Sequence, residues 1–249
     1  MIGTFVWHEI LTTDTAAARA FYTDVVGWTA RDSGVPGMDY TLLLTGETRV
    51  AGLMRQPDGA GQPGWVGYVG VEDVDAGAAK AVSLGGAVLM PPRDIPNVGR
   101  FAVIADPQGA AIAIFRGDGM PARPAAMAPG SIGWNELSAT DMPAVWPFYA
   151  GLFGWREERA MDMGPMGTYR IFAAGDAVLG GMMTRSPGTP GPYWAYYIAV
   201  ADIDAATARA TAGGAKVLMG PMEVPGGAWV IQGSDPQGVM FALVGGRGK

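Results

Sequence analysis

The chain has no cysteine and a single histidine, His8, in 249 residues. Without thiols there is no disulfide, no thiolate metal site and no cysteine nucleophile, which fits a reducing, cytoplasmic compartment. The lone imidazole has no nucleophile-elbow sequence to accompany it, so Ser-His-Asp chemistry has no footing. Charge is also sparse: 17 Lys and Arg stand against 23 Asp and Glu, a formal net charge of -6. No basic cluster interrupts that balance, so nucleic acid, whose binding requires many neutralised phosphates, is not an expected partner. No apolar stretch approaches the roughly 20 residues of a membrane helix. Met1 to Glu9 lacks the basic start and apolar centre of a secretion signal. The glycine-rich run from Gly59 to Gly64 lacks the lysine and helix of a phosphate loop and reads as a turn.

What the chain does contain, it contains twice. Trp7-His8-Glu9-Ile10-Leu11-Thr12-Thr13-Asp14 returns as Trp134-Asn135-Glu136-Leu137-Ser138-Ala139-Thr140-Asp141, and Phe21-Tyr22 with Gly27-Trp28 returns as Phe148-Tyr149 with Gly154-Trp155. Ala51-Gly52-Leu53-Met54 matches Gly180-Gly181-Met182-Met183, Trp65 matches Trp194, and Asp106-Pro107-Gln108-Gly109 recurs unchanged at Asp235-Pro236-Gln237-Gly238. Such a repeat divides the chain into domains at 1–119 and 131–249, joined by the proline-rich segment 120–130, whose composition favours an extended spacer. With 49% hydrophobic residues, each half has enough apolar material for its own core.

Within a half, periodicity alternates between two and helical values. Asp14 is positioned to cap a helix carrying Ala17, Phe21 and Val25, which Gly27 ends. Short strands follow at 40–45, 49–54 and 65–71, then a helix over 75–84 and strands at 87–90, 101–105 and 111–115. Asp106-Pro107-Gln108-Gly109 reads as the turn between the last two. In the second half Pro147 falls inside the helix that begins at Asp141, which predicts a kink or a delayed start.

This order of elements, the Asp-capped helix ending in Phe-Tyr and Gly-Trp, and the Asp-Pro-Gln-Gly turn resemble the vicinal oxygen chelate superfamily of glyoxalases, bleomycin resistance proteins and dioxygenases. The resemblance implies an α+β fold: two tandem glyoxalase-like domains, each of two βαβββ units in a curved mixed sheet around a cup. It also implies an internal pseudo-dimer, compatible with a monomer or a homodimer. In metal-dependent members, His, Gln or Glu ligands stand on the first strand, on the strand opening the second unit, and on the last strand. Counting from the capping and turn aspartates places these positions at Trp7, Val66 and Ala113, and at Trp134, Ala195 and Ala242. None of these side chains coordinates a metal, so neither a metal nor another cofactor is expected. One histidine cannot build the two-histidine, one-carboxylate iron site of the dioxygenases.

Candidate site residues follow from strand alternation: Trp7 and Glu9 share a face of the first strand, as do Trp134 and Glu136, and His8 points the other way. A carboxylate on an apolar inner face must be paired, hydrated or shifted in pKa. Glu9 and Glu136 therefore either serve a ligand, as donor-group acceptors or general bases, or bridge strands across the internal two-fold axis. Trp7, Tyr40, Trp65, Trp134, Tyr169 and Trp194 are candidates to stack on a flat organic ligand, and are equally suited to sheet cores, as are Tyr68 and Tyr197. Arg100 either reaches an acidic ligand at a rim or is a solvated loop residue. The expected function is binding of a small organic molecule, with a metal-dependent lyase or isomerase and a cofactor-free acid-base enzyme using Glu9 or Glu136 as alternatives.

Overall fold

A computed structural model describes residues 2–35, 37–59, 61–117, 127–188 and 191–248. The expected linker, 120–130, lies largely outside them. In the first half, β1 (Phe5–Thr12), α1 (Thr15–Val26), β2 (Thr29–Asp32), β3 (Tyr40–Thr45) and β4 (Thr48–Arg55) make one βαβββ module. A second module follows: β5 (Gly64–Gly70), α2 (Val74–Ser83), β6 (Ala87–Ile95), β7 (Gly99–Ala105) and β8 (Ala111–Arg116). The second half repeats both, with β9 (Ile132–Ala139), α3 (Met142–Phe153), β10 (Arg156–Asp162), β11 (Thr168–Ala174) and β12 (Ala177–Thr184). It closes with β13 (Tyr193–Val200), α4 (Ile203–Ala212), β14 (Lys216–Glu223), β15 (Trp229–Ser234) and β16 (Met240–Gly245). Two eight-stranded mixed sheets result, ordered β2-β3-β4-β1-β5-β8-β7-β6 and β10-β11-β12-β9-β13-β16-β15-β14. The α+β class is therefore as the sequence implies. Among the described residues no helix is long and apolar enough to cross a membrane.

Each helix starts on an aspartate. Asp14, Asp73, Asp141 and Asp202 accept backbone N–H bonds from three residues ahead, which satisfies donors that the first turn leaves open. Gly27 and Gly154 end α1 and α3 in the left-handed conformation that favours glycine. Asp73 caps α2, which spans Val74–Ser83 and lies one residue earlier than its periodicity suggests. Pro147 does not delay α3, which begins at Met142 directly after its cap. Val145, Phe148, Tyr149, Leu152 and Phe153 are buried on its inner face, and that packing outweighs the one backbone hydrogen bond the proline removes. Two strands are absent from the sequence reading. β2 and β10 are exposed along almost their whole length, so they carry no alternation to read. β6 runs five residues further than expected, through Pro91 and Pro92, with register shifts on either side of Met90. As the last strand of its sheet, it tolerates prolines that a central strand would not.

Backbone proximity groups the chain into two compact units that cut across the sequence halves. One comprises Met1–Trp7, Val66–Met120 and Asn135–Trp194; the other His8–Trp65, Pro121–Trp134 and Ala195–Lys249. Each unit therefore combines the second module of one half with the first module of the other. In the first unit, the side-chain amide of Gln108 bonds both backbone groups of Asp141, at 2.6 and 2.9 Å. In the second, α1 packs on α4, and Arg209 donates to the carbonyls of Asp24 and Val25 at the end of α1. That guanidinium satisfies carbonyls the last helical turn leaves open.

Candidate functional site

The three positions counted from the sequence come together in each half. Trp7 and Val66 pack on a cluster formed by Val6, Tyr68, Ala113 and Phe115, joined by Phe101 and Val103. Trp134 and Ala195 pack on Tyr197, Ala199, Val230, Ala242 and Val244. Strand pairing makes the two sets equivalent: Tyr68 lies opposite Ala113 and Val103 opposite Ala113, as Tyr197 and Gln232 lie opposite Ala242. The positions counted from the sequence are thus spatially convergent, and each set consists of an indole with aliphatic groups. Such a donor set does not fit a divalent cation, which requires oxygen or nitrogen ligands. Among the described residues, no three His, Cys, Asp or Glu side chains gather at all.

The carboxylates have phenolic neighbours. Tyr169 on β11 donates to Glu136 Oε2 at 2.8 Å. Its ring crosses Gly181, the register partner of Glu136 on β12; any Cβ at Gly181 would collide with the Tyr169 hydroxyl. The same arrangement recurs in the first half. Tyr40 on β3 lies over Gly52, the partner of Glu9 on β4, and again leaves no room for a Cβ. Gly52 and Gly181 thus each leave room for a tyrosine crossing the sheet, and Tyr169 uses that room to reach the half-buried Glu136. Burial pushes the Tyr193 hydroxyl above its ordinary pKa, opposed by a hydrogen bond with Ser138 and reinforced by the negative charge of Glu136.

The remaining candidates have other surroundings. The Trp194 indole N–H donates to Tyr149 Oη at 3.1 Å, and Tyr149 donates to Asp106 Oδ2 at 2.9 Å. In the other unit Trp65 bonds Tyr22 at 3.3 Å and Tyr22 bonds Asp235 at 3.3 Å. Trp65 and Trp194 thus point at helices α1 and α3, and their strand neighbours Val66 and Ala195 supply the apolar clusters. Tyr22 is held well above its ordinary pKa, first by burial and then by the Asp235 charge. Asp235 is itself raised by burial, against the bonds it accepts from Val239, Gln237 and Tyr22. Arg100 forms a two-pronged ion pair with Asp75, at 2.7 and 2.9 Å, and also reaches Asp94 at 2.9 Å. His8 is buried, with Tyr196 edge-on at 5.0 Å.

Gln232 is a polar residue that sequence reasoning did not single out. Its amide donates to Tyr197 Oη at 2.7 Å, beside the second cluster. The alternation of β15, between buried Ile231 and Gly233, was the available signal. The Phe-Tyr, Gly-Trp and Asp-Pro-Gln-Gly motifs find their explanation in packing: Trp28 and Trp155 donate to the carbonyls of Gly130 and Gly3, and the turn aspartates receive the helix tyrosines.

A model of the "Glyoxalase/Bleomycin resistance protein/Dioxygenase superfamily" matches residues 4–114 and again 131–243. A protein named "Putative glyoxylase CFP32" from Mycobacterium tuberculosis is 36% identical over 97% of this chain and 94% of its own length. The "Anthracycline biosynthesis protein DnrV" of Streptomyces peucetius is 33% identical over 97% of this chain and 93% of its own. Among solved structures, the Mn(II)-bound glyoxalase from Novosphingobium aromaticivorans shares the fold with a TM-score of 0.67 at 18% identity, covering 98% of this chain and 82% of that one.

Proposed function

Because the chain belongs to the glyoxalase/bleomycin resistance protein/dioxygenase superfamily, we propose that it uses this fold to bind a small, flat organic molecule without a resident metal ion. The observation that supports the reading is the convergence of Trp7, Val66 and Ala113, and of Trp134, Ala195 and Ala242, on apolar clusters without metal-donor side chains. Half-buried tryptophans beside aliphatic walls favour aromatic ligands, and Glu9 with Tyr40 and Glu136 with Tyr169 are separate polar candidates for binding a ligand. Trp65 and Trp194 support the opposite side of their strands, and Arg100 is already engaged by two carboxylates. The names of the relatives suggest two ligand classes for this chain, small carbonyl compounds and fused-ring aromatics. The cysteine-free composition is consistent with a cytoplasmic site of action.

The test combines metal analysis of untagged protein with melting in the presence of a chelator, 1,4-dihydroxyanthraquinone or methylglyoxal. The expected result is no stoichiometric metal, a melt unmoved by chelation, and stabilisation by one of the two compounds. A chelator-sensitive melt with about one equivalent of metal per half would overturn it.

One contact favours a second reading, in which the carboxylates act as bases. The Tyr169 hydroxyl donates to Glu136 at 2.8 Å, which holds the carboxylate in one orientation. A ligand with an acidic C–H or O–H would then give up its proton to Glu136, and equivalently to Glu9. Replacing both with Gln separates the readings: lost turnover with retained affinity supports the base, and unchanged turnover removes it.

A further inference from the structure

We propose a second small-molecule site, away from the apolar clusters: a cleft on the helix-bearing face of the first sheet that takes a small aromatic carboxylate, with its ring on the Arg100 guanidinium and its carboxylate on Arg116. It stands independently of the binding function proposed for the clusters. The cleft holds about 520 Å³ and is lined by Asp94, Asn97, Val98, Arg100, Arg116 and Gly117, all within one unit.

Strand alternation separates this cleft from the cluster around Tyr68. Phe101, Val103, Ala113 and Phe115 belong to that cluster, so Arg100 and Arg116, next to Phe101 and Phe115 along β7 and β8, project from the other face. That is the face α2 covers: Arg100 bonds Asp75 of α2, and Gly77 of α2 lies against Ile114, two residues before Arg116. Register then sets Asp94, Arg100 and Arg116 in one row across β6, β7 and β8.

The second half shows what completes such a row. Its counterpart there is Glu223, Trp229 and Gly245, and Asp204 stands where Asp75 does, two residues after the cap of its helix. Arg247 pairs with Asp204 at 2.7 Å and lies over the Trp229 ring at 4.1 Å, so the guanidinium held by the helix aspartate has an indole on its face. In the first half that guanidinium is Arg100, gripped through its edges by Asp75 and Asp94. Bonds in the guanidinium plane leave its faces for stacking, and among the described residues no ring covers them. Arg116 replaces Gly245 and, among the described residues, forms no ion pair. It also stands directly opposite Arg100, where like charges repel. A ring for Arg100 and a carboxylate for Arg116 supply both missing partners, and a carboxylate matches the guanidinium fork. Neighbouring strands are about 4.8 Å apart, a span that one benzene ring with an attached carboxylate bridges.

Titration of the isotope-labelled full chain with sodium benzoate, followed by nuclear magnetic resonance, tests the assignment. The expected result is saturable movement of the Gly99 and Gly117 amide signals with a Kd on the order of 1 mM, the range for a ligand of this size. The indole N–H signals of Trp7 and Trp134 should stay still. Benzamide, which lacks the charge, and acetate, which lacks the ring, should each bind at least about fivefold more weakly. Arg116→Gln, an exposed change that retains the melt, and Arg100→Lys, which keeps the charge but not the planar face, should each weaken benzoate by a similar factor. Absence of saturable binding, equal binding of benzamide, or unchanged affinity in Arg116→Gln would overturn the site. Movement at Trp7 or Trp134 in place of Gly99 and Gly117 would overturn it too, and would leave the binding function of the clusters standing.

Discussion

Removing the hydroxyl of Tyr149 tests how much a buried Trp-Tyr-Asp chain contributes inside its own unit. In Tyr149→Phe the ring stays in place, stacked on Trp155 at 5.5 Å, so packing is preserved. Two buried groups lose their partner: Asp106 Oδ2, now 2.9 Å from the phenol, and the Trp194 N–H, now 3.1 Å from it. Each unsatisfied group costs about 1–3 kcal/mol, so with partial relaxation the loss is about 2–4 kcal/mol. The turn itself survives, because Asp106 Oδ1 still accepts from the backbone of Gln108 and Ala110. Tyr22→Phe is the internal control. Its two bonds are both 3.3 Å, long enough to be weaker, and its loss should be about 1 kcal/mol. For a protein of this size the Tyr149 substitution should lower the melting temperature by roughly 6–12 °C, measured by calorimetry and checked by urea titration at neutral pH. Equal losses for the two substitutions, or less than about 1 kcal/mol for Tyr149→Phe, would refute the argument that bond geometry sets the contribution.

Gly181→Ala should destabilise by about 1–3 kcal/mol through collision with Tyr169, and the added substitution Tyr169→Ala should recover part of the loss, read as melting temperature. Trp134→His combined with Ala195→His and Ala242→Glu places three donors at the convergent positions, and should confer a melt that rises with added Mn²⁺; an indifferent melt would show that the three positions do not share one centre. Asp235 is raised by burial, so its contribution to stability is fully present below the ordinary aspartate value and is lost as pH rises through the folded value. Asp235→Asn should accordingly flatten the melt-versus-pH curve above about pH 4. Asp75 and Asp204 have the opposite sign. Their arginine partners hold both below the ordinary value, so that contribution is present above it and lost as pH falls further; being exposed, it should also fade with added salt.

Much of the fold was legible because the repeat displays its own register. Four capping aspartates, two Gly-Trp helix ends and two Asp-Pro-Gln-Gly turns mark the same points in each half, and local chemistry suffices to read them. β2 and β10 escaped notice because solvent on both faces removes alternation, and β6 was cut short because its prolines stop mattering at a sheet edge. The convergent positions could be counted from the aspartates. Which way Trp65 and Trp194 point could not be read, since both strand faces carry aromatics and only the helix tyrosines decide the matter. Gln232 went unnoticed for a related reason: a single amide in a strand signals nothing until Tyr197 lies beside it.

The crossed composition of the two units sets an order of events during synthesis. Every residue of the unit ending at Trp194 has been made while the other still lacks Ala195–Lys249. The earlier unit closes through Gly3 and Trp155, 152 positions apart, and the later one through Tyr22 and Asp235, 213 apart. The longer closure costs about 0.3 kcal/mol more in chain entropy. The segment from His8 to Trp65, though translated first, must wait with its apolar faces uncovered until the last strands arrive. It is therefore the stretch of this protein most exposed to wrong partners before folding ends.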